Sequence, residues 1–418
     1  MKTLKRILLG FVIILSAAAL FWFGRFKVED ISAHKKISDI NSYMKTVDDI
    51  KISDNVNVVA IGEAAHGCKD FQELKLSVLK KMVKDYDFRA FALEADYGEC
   101  ATINRYIQGG EVDIESIVKT FSFPIYHTKQ MEELISWMRE YNSTVSEGKK
   151  LRFYGFDMQN PETSYEFLKN YCISKGLTSA EEFDKNLDCI EKGEVSPESA
   201  KAVIDFVTGL KEKIGDIDVA NADDRDAVFE LNTVRQSMET FTKRDESYYT
   251  LRDGDMAGNI EDILDIEKRI GSGRIVIAAH DGHIAKVGNG YTSMGAVLSN
   301  DLKEAYYSIG TDFWKVTDNI KVLEKKKRSI QSFISADPLA AQARFAKDKY
   351  YLLDFADIKE GSSLYSLINS PLRMGSLGEG YTWMMRIVES SYRPKALPVS
   401  LYDAMIFVYE GEPIEIIQ

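Results

Sequence analysis

Three of the five histidines in this chain, His66, His280 and His283, follow directly on short apolar runs. So do four acids: Glu63, Glu94, Asp96 and Asp157. Imidazole exchanges protons near neutral pH, and a carboxylate beside it fixes its tautomer or its charge, so this set suits general acid–base chemistry. The same residues suit a second chemistry. Glu63-x-x-His66 and His280-x-x-His283, with Glu94, carry enough nitrogen and oxygen donors for Zn²⁺ or Mn²⁺, although the order is not that of a His-Glu-x-x-His zinc peptidase. Spacing alone does not separate the two. The other histidines stand apart, His34 in a polar stretch and His127 in isolation. Gly-x-Ser-x-Gly is absent, which disfavours a serine nucleophile elbow, and there is no phosphate loop of the Walker type.

The runs that precede these residues have the character of buried strands. Residues 56–62, 88–94, 151–157 and 274–280 are short, β-branched or aromatic, and end in Gly, Glu, Asp or His. Two further strands are expected at 305–310 and 405–409. Helical spacing over 71–86 links the first two strands into a β-α-β unit, which makes them parallel partners. Residues 131–141 form another amphipathic helix, and 162–268 is helical throughout, an insertion expected to border the site and limit substrate size. The fold class is α/β, with a mainly parallel sheet flanked by helices and a large helical insertion. In such sheets ligands bind beyond the carboxyl ends of the strands, where these acids and histidines converge.

The chain has 418 residues, 45% hydrophobic and 28% charged, with a net charge of −12. That balance is globular, and the acidic excess excludes a nucleic-acid partner. Cys68, Cys100, Cys172 and Cys189 contain no C-x-x-C and are expected as free, buried thiols; Cys68–Cys100 and Cys172–Cys189 are the pairings an oxidising compartment would allow. Residues 7–24 are uncharged and flanked by Lys2, Lys5 and Arg6 before and Arg25 and Lys27 after. About 18 apolar residues approach the length of a bilayer span. Ser16 to Ala19 are small enough for a signal-peptidase site, but Leu20, Phe21, Trp22 and Phe23 continue the run, so an uncleaved transmembrane helix is expected. The organisation is then a cytoplasmic stub (1–6), an anchor in the membrane (7–24), a polar tether (25–41) and an extracytoplasmic domain (42–418).

The stretch Gly62-Glu63-Ala64-Ala65-His66-Gly67 resembles the Gly-Glu-x-x-His-Gly signature of the erythromycin esterase family. Further similarity follows in order: Phe71 to Lys75, Phe88 to Asp96, Asn104-Arg105-Tyr106, Tyr154 to Asp157, Leu251-Arg252-Asp253 with Met256, Ala279 to His283, and Tyr402-Asp403-Ala404. The resemblance implies a hydrolase of esters or lactones, macrolide lactones among them, with a small-molecule substrate and no required cofactor. It implies that His66 is the general base, that Glu63 orients it, that Glu94 is an essential acid, and that His280 and His283 are catalytic or substrate-binding. Lys75, Asp157 and Arg252 are the substrate-binding candidates; Lys75 replaces a family Arg and would otherwise be a solvated helix residue. Asp281 stands where the family has Asn, which puts the substrate in question. Cys68 is not required by the family. Glu63→Gln is expected to lose activity with little loss of stability. The alternatives are a metal-dependent hydrolase or peptidase on the same cluster, or an anchored binding protein without activity.

Overall fold

Every residue of β1 (Val58–Glu63) is buried, and the burial has two sides. Val59 and Ile61 enter one core while Val58 and Ala60 enter another. The same alternation holds in β2 (Ala90–Asp96) and β4 (Ile275–His280), as expected of parallel strands covered by helices on both faces. The computed structural model describes Val12, Ser16 and residues 24–243, 246–348 and 350–417. In it β3 (Arg152–Asp157), β2, β4, β1, β5 (Tyr306–Val322) and β11 (Ala404–Gly411) run parallel in that order. β7 (Tyr350–Asp354) closes the edge antiparallel to β11, and β6 (Lys327–Ile334) folds back on the long outer half of β5. The two-residue strands β8 (Leu372–Arg373) and β10 (Lys395–Ala396) pair with each other, and β9 (Gly380–Tyr381) joins the end of β5.

The β-α-β unit contains the expected crossover helix, α2 (Lys69–Tyr86), but its strands are not partners. β4 lies between β1 and β2 and pairs with both. Glu63 and His280 are register partners as a result, with Glu94 one strand beyond. The expected strand at 305–310 is only the beginning of β5. Helices α3 (Tyr97–Ile107), α4 (Ile114–Val118) and α5 (Lys129–Thr144) continue the first half of the fold. Asp96 is used in capping α3, with Glu99 accepting from the Asp96 backbone N–H at 3.1 Å.

The 162–268 region is helical as expected. It contains α6 (Tyr165–Ser174), α7 (Ala180–Glu191), α8 (Pro197–Ile214), α9 (Ala222–Phe241) and most of α10 (Glu246–Ile270). The first four enclose their own small core around Leu168, Phe183, Val203 and Leu231. α10 lies along the sheet: near its end Glu267 pairs with Arg152 at the start of β3, and near its beginning it reaches the opposite, carboxyl end of the sheet. Four short helices lie in the rest of the chain: α11 (Asp281–Ile284), α12 (Met294–Leu302), α13 (Ser363–Ile368) and α14 (Pro398–Leu401). All four cysteines are free thiols.

The expected transmembrane helix falls almost entirely outside the described residues. Among the described residues no helix is long and apolar enough to cross a membrane. The tether is not an extended linker. Residues 24–33 form a helix (α1) that docks on the domain. Trp314 donates to Asp30 at 2.7 Å, Arg393 reaches Glu29 at 3.2 Å, and the His34 ring packs edge-on against Trp314. Removal of the residues before Phe26 is therefore expected to leave the unfolding midpoint near that of the whole chain. Removal through residue 41 exposes Trp314 and leaves Arg393 with Glu389 alone, and should cost about 2–4 kcal/mol by denaturant titration.

Candidate active site

The carboxyl ends of β1, β2, β3 and β4 deliver Glu63, Glu94, Asp157 and His280 to one place, and α10 and α11 add Arg252, Asp253 and His283. Glu63 anchors the first group. One oxygen is 2.7 Å from His66 Nδ1 and the other 2.7 Å from Lys75 Nζ. Burial would raise the Glu63 carboxyl, but Lys75 and His66 outweigh it and bring it down to about 2. Lys75 is not a solvated residue. It is fully buried, with its ammonium 5.2 Å from the centre of the Tyr126 ring. Its placement is that of a buried counterion for Glu63.

The second group is built on Arg252. Its guanidinium meets both oxygens of Asp157, at 3.0 and 2.6 Å, and reaches Glu94 Oε1 at 2.9 Å. Asp157 also accepts from the Met158 backbone and the Gln159 side chain, so its oxygens are fully engaged inside the protein. Glu94 accepts the His280 backbone N–H at 2.8 Å and lies 3.3 Å from His283 Nε2. Burial opposes its ionisation, yet His283 and Arg252 hold it well below the usual carboxylate range. Glu94 is thus a fixed anion. Asp157 and Arg252 hold the framework together; the geometry gives them no free face for substrate.

The three histidines differ in their partners. His66 bonds Glu63 through Nδ1, which leaves Nε2 with a lone pair when the ring is neutral; burial lowers its pKa, but Glu63, Glu94 and Glu379 carry it above the ordinary 6.5. His280 Nδ1 accepts from the Gly282 N–H at 3.2 Å, so its Nε2 carries the proton. Burial and two neighbouring imidazoles depress it to about 3. His283 is held by Asp253 at 2.8 Å on Nδ1, and its Nε2 lies 3.3 Å from Glu94 and 3.2 Å from Arg252 Nη1; burial and Arg252 oppose the charge, but Glu94 and Asp253 raise its pKa to about 10. The His66 and His280 rings are 5.0 Å apart, centre to centre. In ¹⁵N-histidine NMR across pH 5 to 8, His280 should stay neutral with Nε2 protonated, His283 should stay charged, and His66 should titrate between them. A charged His280 at neutral pH would contradict these assignments.

Two glycines allow the strand ends to close in. A side chain on Gly62 would collide with the carboxyl of Asp281, and one on Gly67 with Asp318 and the Asn319 backbone. Gly67 is thus needed for close approach, not for a left-handed turn. Asp281 turns toward Thr311, whose backbone N–H donates to both its oxygens at 3.2 Å. Burial pushes its carboxyl well above the normal range, and a neutral acid has the shape of the asparagine it replaces. Asp96 faces Asn160 at 2.9 and 3.0 Å, outside the histidine group. Cys68 is buried and its thiol is pushed well up by that burial, which removes it as a nucleophile. His127 binds the Phe121 carbonyl and none of the site's acids or histidines.

The sequence reading did not single out Asp253 or Ser376. Asp253 adjoins Arg252 in the matched Leu-Arg-Asp block, and that adjacency was the available signal. Ser376 lies in a segment without strand or helix pattern; its Oγ is 3.5 Å from His280 Nε2. Leu377 holds this segment against the turn after β1, donating to the Ala64 carbonyl at 2.7 Å. A cavity of about 420 Å³ opens beside His280 and Ser376, walled by Val287, Tyr291, Met374, Leu397 and Leu401. Tyr249, from the first turns of α10, packs against Tyr291, 5.6 Å between ring centres, so the helical region does border this cavity. Among the described residues no group of three or more His, Cys, Asp or Glu side chains is placed to hold a metal ion. Of the donors of the metal alternative, Glu63 is paired with Lys75, Glu94 with Arg252 and His283 with Asp253.

Residues 83–411 match the family model for erythromycin esterase, and the chain belongs to that family. Among characterised relatives, erythromycin esterase type II of Escherichia coli is 33% identical over 115 residues, 28% of this chain and 26% of that protein. The chain thus aligns with only about a quarter of that relative's length. Two solved structures share the fold. A succinoglycan biosynthesis protein superposes with a TM-score of 0.73 at 18% identity, covering 94% of this chain and 98% of its own. An erythromycin esterase mutant in its open conformation gives 0.63 at 16% identity, covering 90% and 99%.

Proposed function

We propose that this protein hydrolyses a carboxylic ester or lactone with water activated by His66. The observation that carries this reading is the bonding of three adjacent histidines: His66 is tied to Glu63 through Nδ1, His280 accepts at Nδ1 and turns Nε2 toward Ser376, and His283 is held between Asp253 and Glu94. Neutral His66 takes a proton from water at Nε2 as the water oxygen bonds to the ester carbonyl carbon. The carbonyl oxygen becomes an oxyanion, and the His280 Nε2–H is available to stabilise it. Collapse breaks the bond to the alkoxide, which recovers the proton from the His66 imidazolium. Glu63 orients His66 and stabilises its charged form, Lys75 keeps Glu63 ionised, and Glu94 with Arg252 fixes the position of His280.

The cavity beside His280 has a volume in the range of small-molecule sites, and its mostly apolar walls suit the hydrocarbon part of an ester of moderate size. The helical region, through Tyr249 and its contact with Tyr291, sets that size. A macrolide lactone belongs in the substrate panel because the family name includes it. The apolar segment at residues 7–24 supports an anchored protein with its catalytic domain outside the cytoplasm. Turnover of graded alkyl esters, aryl esters and lactones tests the activity. Hydrolysis of at least one member is expected, best for apolar groups that fill the cavity. An inert protein across the panel, with the fold intact by circular dichroism, would contradict the proposal.

A further inference from the structure

Outside the site, the described surface carries a concentrated apolar patch. Trp383 is 60% exposed, Met384 54%, Ile387 53% and Val388 45%, within a single segment, and Leu323 is 49% exposed on the adjacent turn between β5 and β6. The two parts are stitched together. β9 pairs with Lys321 and Val322, the Trp383 N–H donates to Glu324 at 3.3 Å, and Arg386 reaches Gln331 at 2.8 Å. Lys325, Lys326 and Lys327 stand exposed in that same turn. A run of three exposed lysines is a local reversal on a chain whose net charge is −12. Of the nearby acids, Glu379 is paired with Arg328 and Glu389 with Arg25 and Arg393, while Glu324 accepts from the Trp383 N–H, so the lysines outnumber the uncompensated acid.

A third observation is where the apolar N-terminal segment ends. Arg25, its first following charge, is 3.4 Å from Glu389 and lines a shallow groove with Ile387 and Val388. Residue 25 is therefore fixed at the edge of the patch.

We propose that Leu323, Trp383, Met384, Ile387 and Val388, with Lys325, Lys326 and Lys327, form a docking surface for a bilayer bearing anionic headgroups. It rests on the reading of residues 7–24 as an anchor only for its constant proximity to lipid. Tryptophan and apolar side chains favour the interfacial layer, and lysines beside them are drawn to anionic lipid. The patch is also linked to the site through the chain. The segment that carries the patch begins and ends at the cavity wall, with Met374 to Ser376 on one side and Pro394 to Leu397 on the other.

The test uses full-length protein with vesicles of bromine-labelled phosphatidylcholine, with and without phosphatidylglycerol. Bromine quenches tryptophan only at contact depth, and the chain has four tryptophans: Trp22, Trp137, Trp314 and Trp383. Wild type is expected to show a quenched component in anionic vesicles that Trp383→Phe lacks. Lys325→Gln/Lys326→Gln/Lys327→Gln should lose most of that component, and raised salt should do the same. These side chains are exposed, so unfolding midpoints of the variants should match wild type. Equal quenching in wild type and Trp383→Phe overturns the proposal. So does a concentration-dependent dimer that shields Trp383 without lipid quenching, which would make the occupant a second copy. Flotation with neutral vesicles at high salt reports the anchor separately. If that fails, quenching by added anionic vesicles at low salt still decides the docking surface.

Discussion

His66→Asn is expected to fold like wild type and to lose roughly 10²–10⁴-fold in kcat, the range for removal of a general base. Asparagine keeps a donor near Glu63 Oε1, so the buried carboxylate is not abandoned, and the Lys75 pair is untouched. What disappears is the lone pair on Nε2. KM should change little, because the cavity wall lies on the His280 side and does not include His66. The comparison is made by steady-state kinetics on the best ester of the panel, with thermal unfolding as the control. An equal rate in the variant would move the base elsewhere.

Glu63→Gln should cost more than activity. From sequence, Glu63 is an orienting acid whose neutral replacement is structurally mild. The burial of Lys75 against its second oxygen reverses that expectation. With Gln at 63 the ammonium is left inside the protein without a counterion, and breaking such a pair costs about 3–5 kcal/mol. The double variant Glu63→Gln/Lys75→Met should recover much of the stability and none of the activity. A denaturant titration of the single and double variants checks both statements. The pH dependence gives the same result another way. The Glu63 carboxyl is depressed from 4.5 to about 2, so its contribution is complete above pH 4.5 and is lost as pH falls toward 2. Wild type should weaken over that window, and the double variant should lack this component.

The strands that carry the site were legible because parallel strands buried on both faces need continuous apolar runs. β1, β2, β3 and β4 end within two residues of their expected limits. Their order was not legible. No local pattern says that β4 enters between β1 and β2, since the pairing is set by packing across more than two hundred residues of chain. β6 was missed because it is an edge strand with only Phe333 buried, so Lys327, Arg328, Ser329 and Gln331 mask its alternation. β5 was cut short for a related reason, as Gly310, Thr311 and Asp312 interrupt its apolar run.

Within the site, Glu63, His66, Glu94, His280 and His283 are brought together as their spacing suggested. The functions of the charged helix residues were harder to read. Lysine is seldom buried, so a Lys on the α2 pattern gave no sign of facing a carboxylate. Asp253 stayed hidden because adjacent helix residues point about 100° apart. Both Arg252 and Asp253 reach the site only because the start of α10 lies across several strand ends. Asp157 and Arg252 looked like substrate ligands for the same reason that any exposed acid and base would. Their mutual pairing is a fact of three dimensions.

The most direct test of His66 as the base is the pH dependence of kcat/KM for ester hydrolysis, which reports ionisations of the free enzyme. Because its partners raise His66 above 6.5, the active neutral form gains population only as pH rises past that value. An ascending limb with a single midpoint above 6.5 is predicted, absent from the residual activity of His66→Asn. A rate undiminished at pH 5, or the same limb in both proteins, would contradict the mechanism.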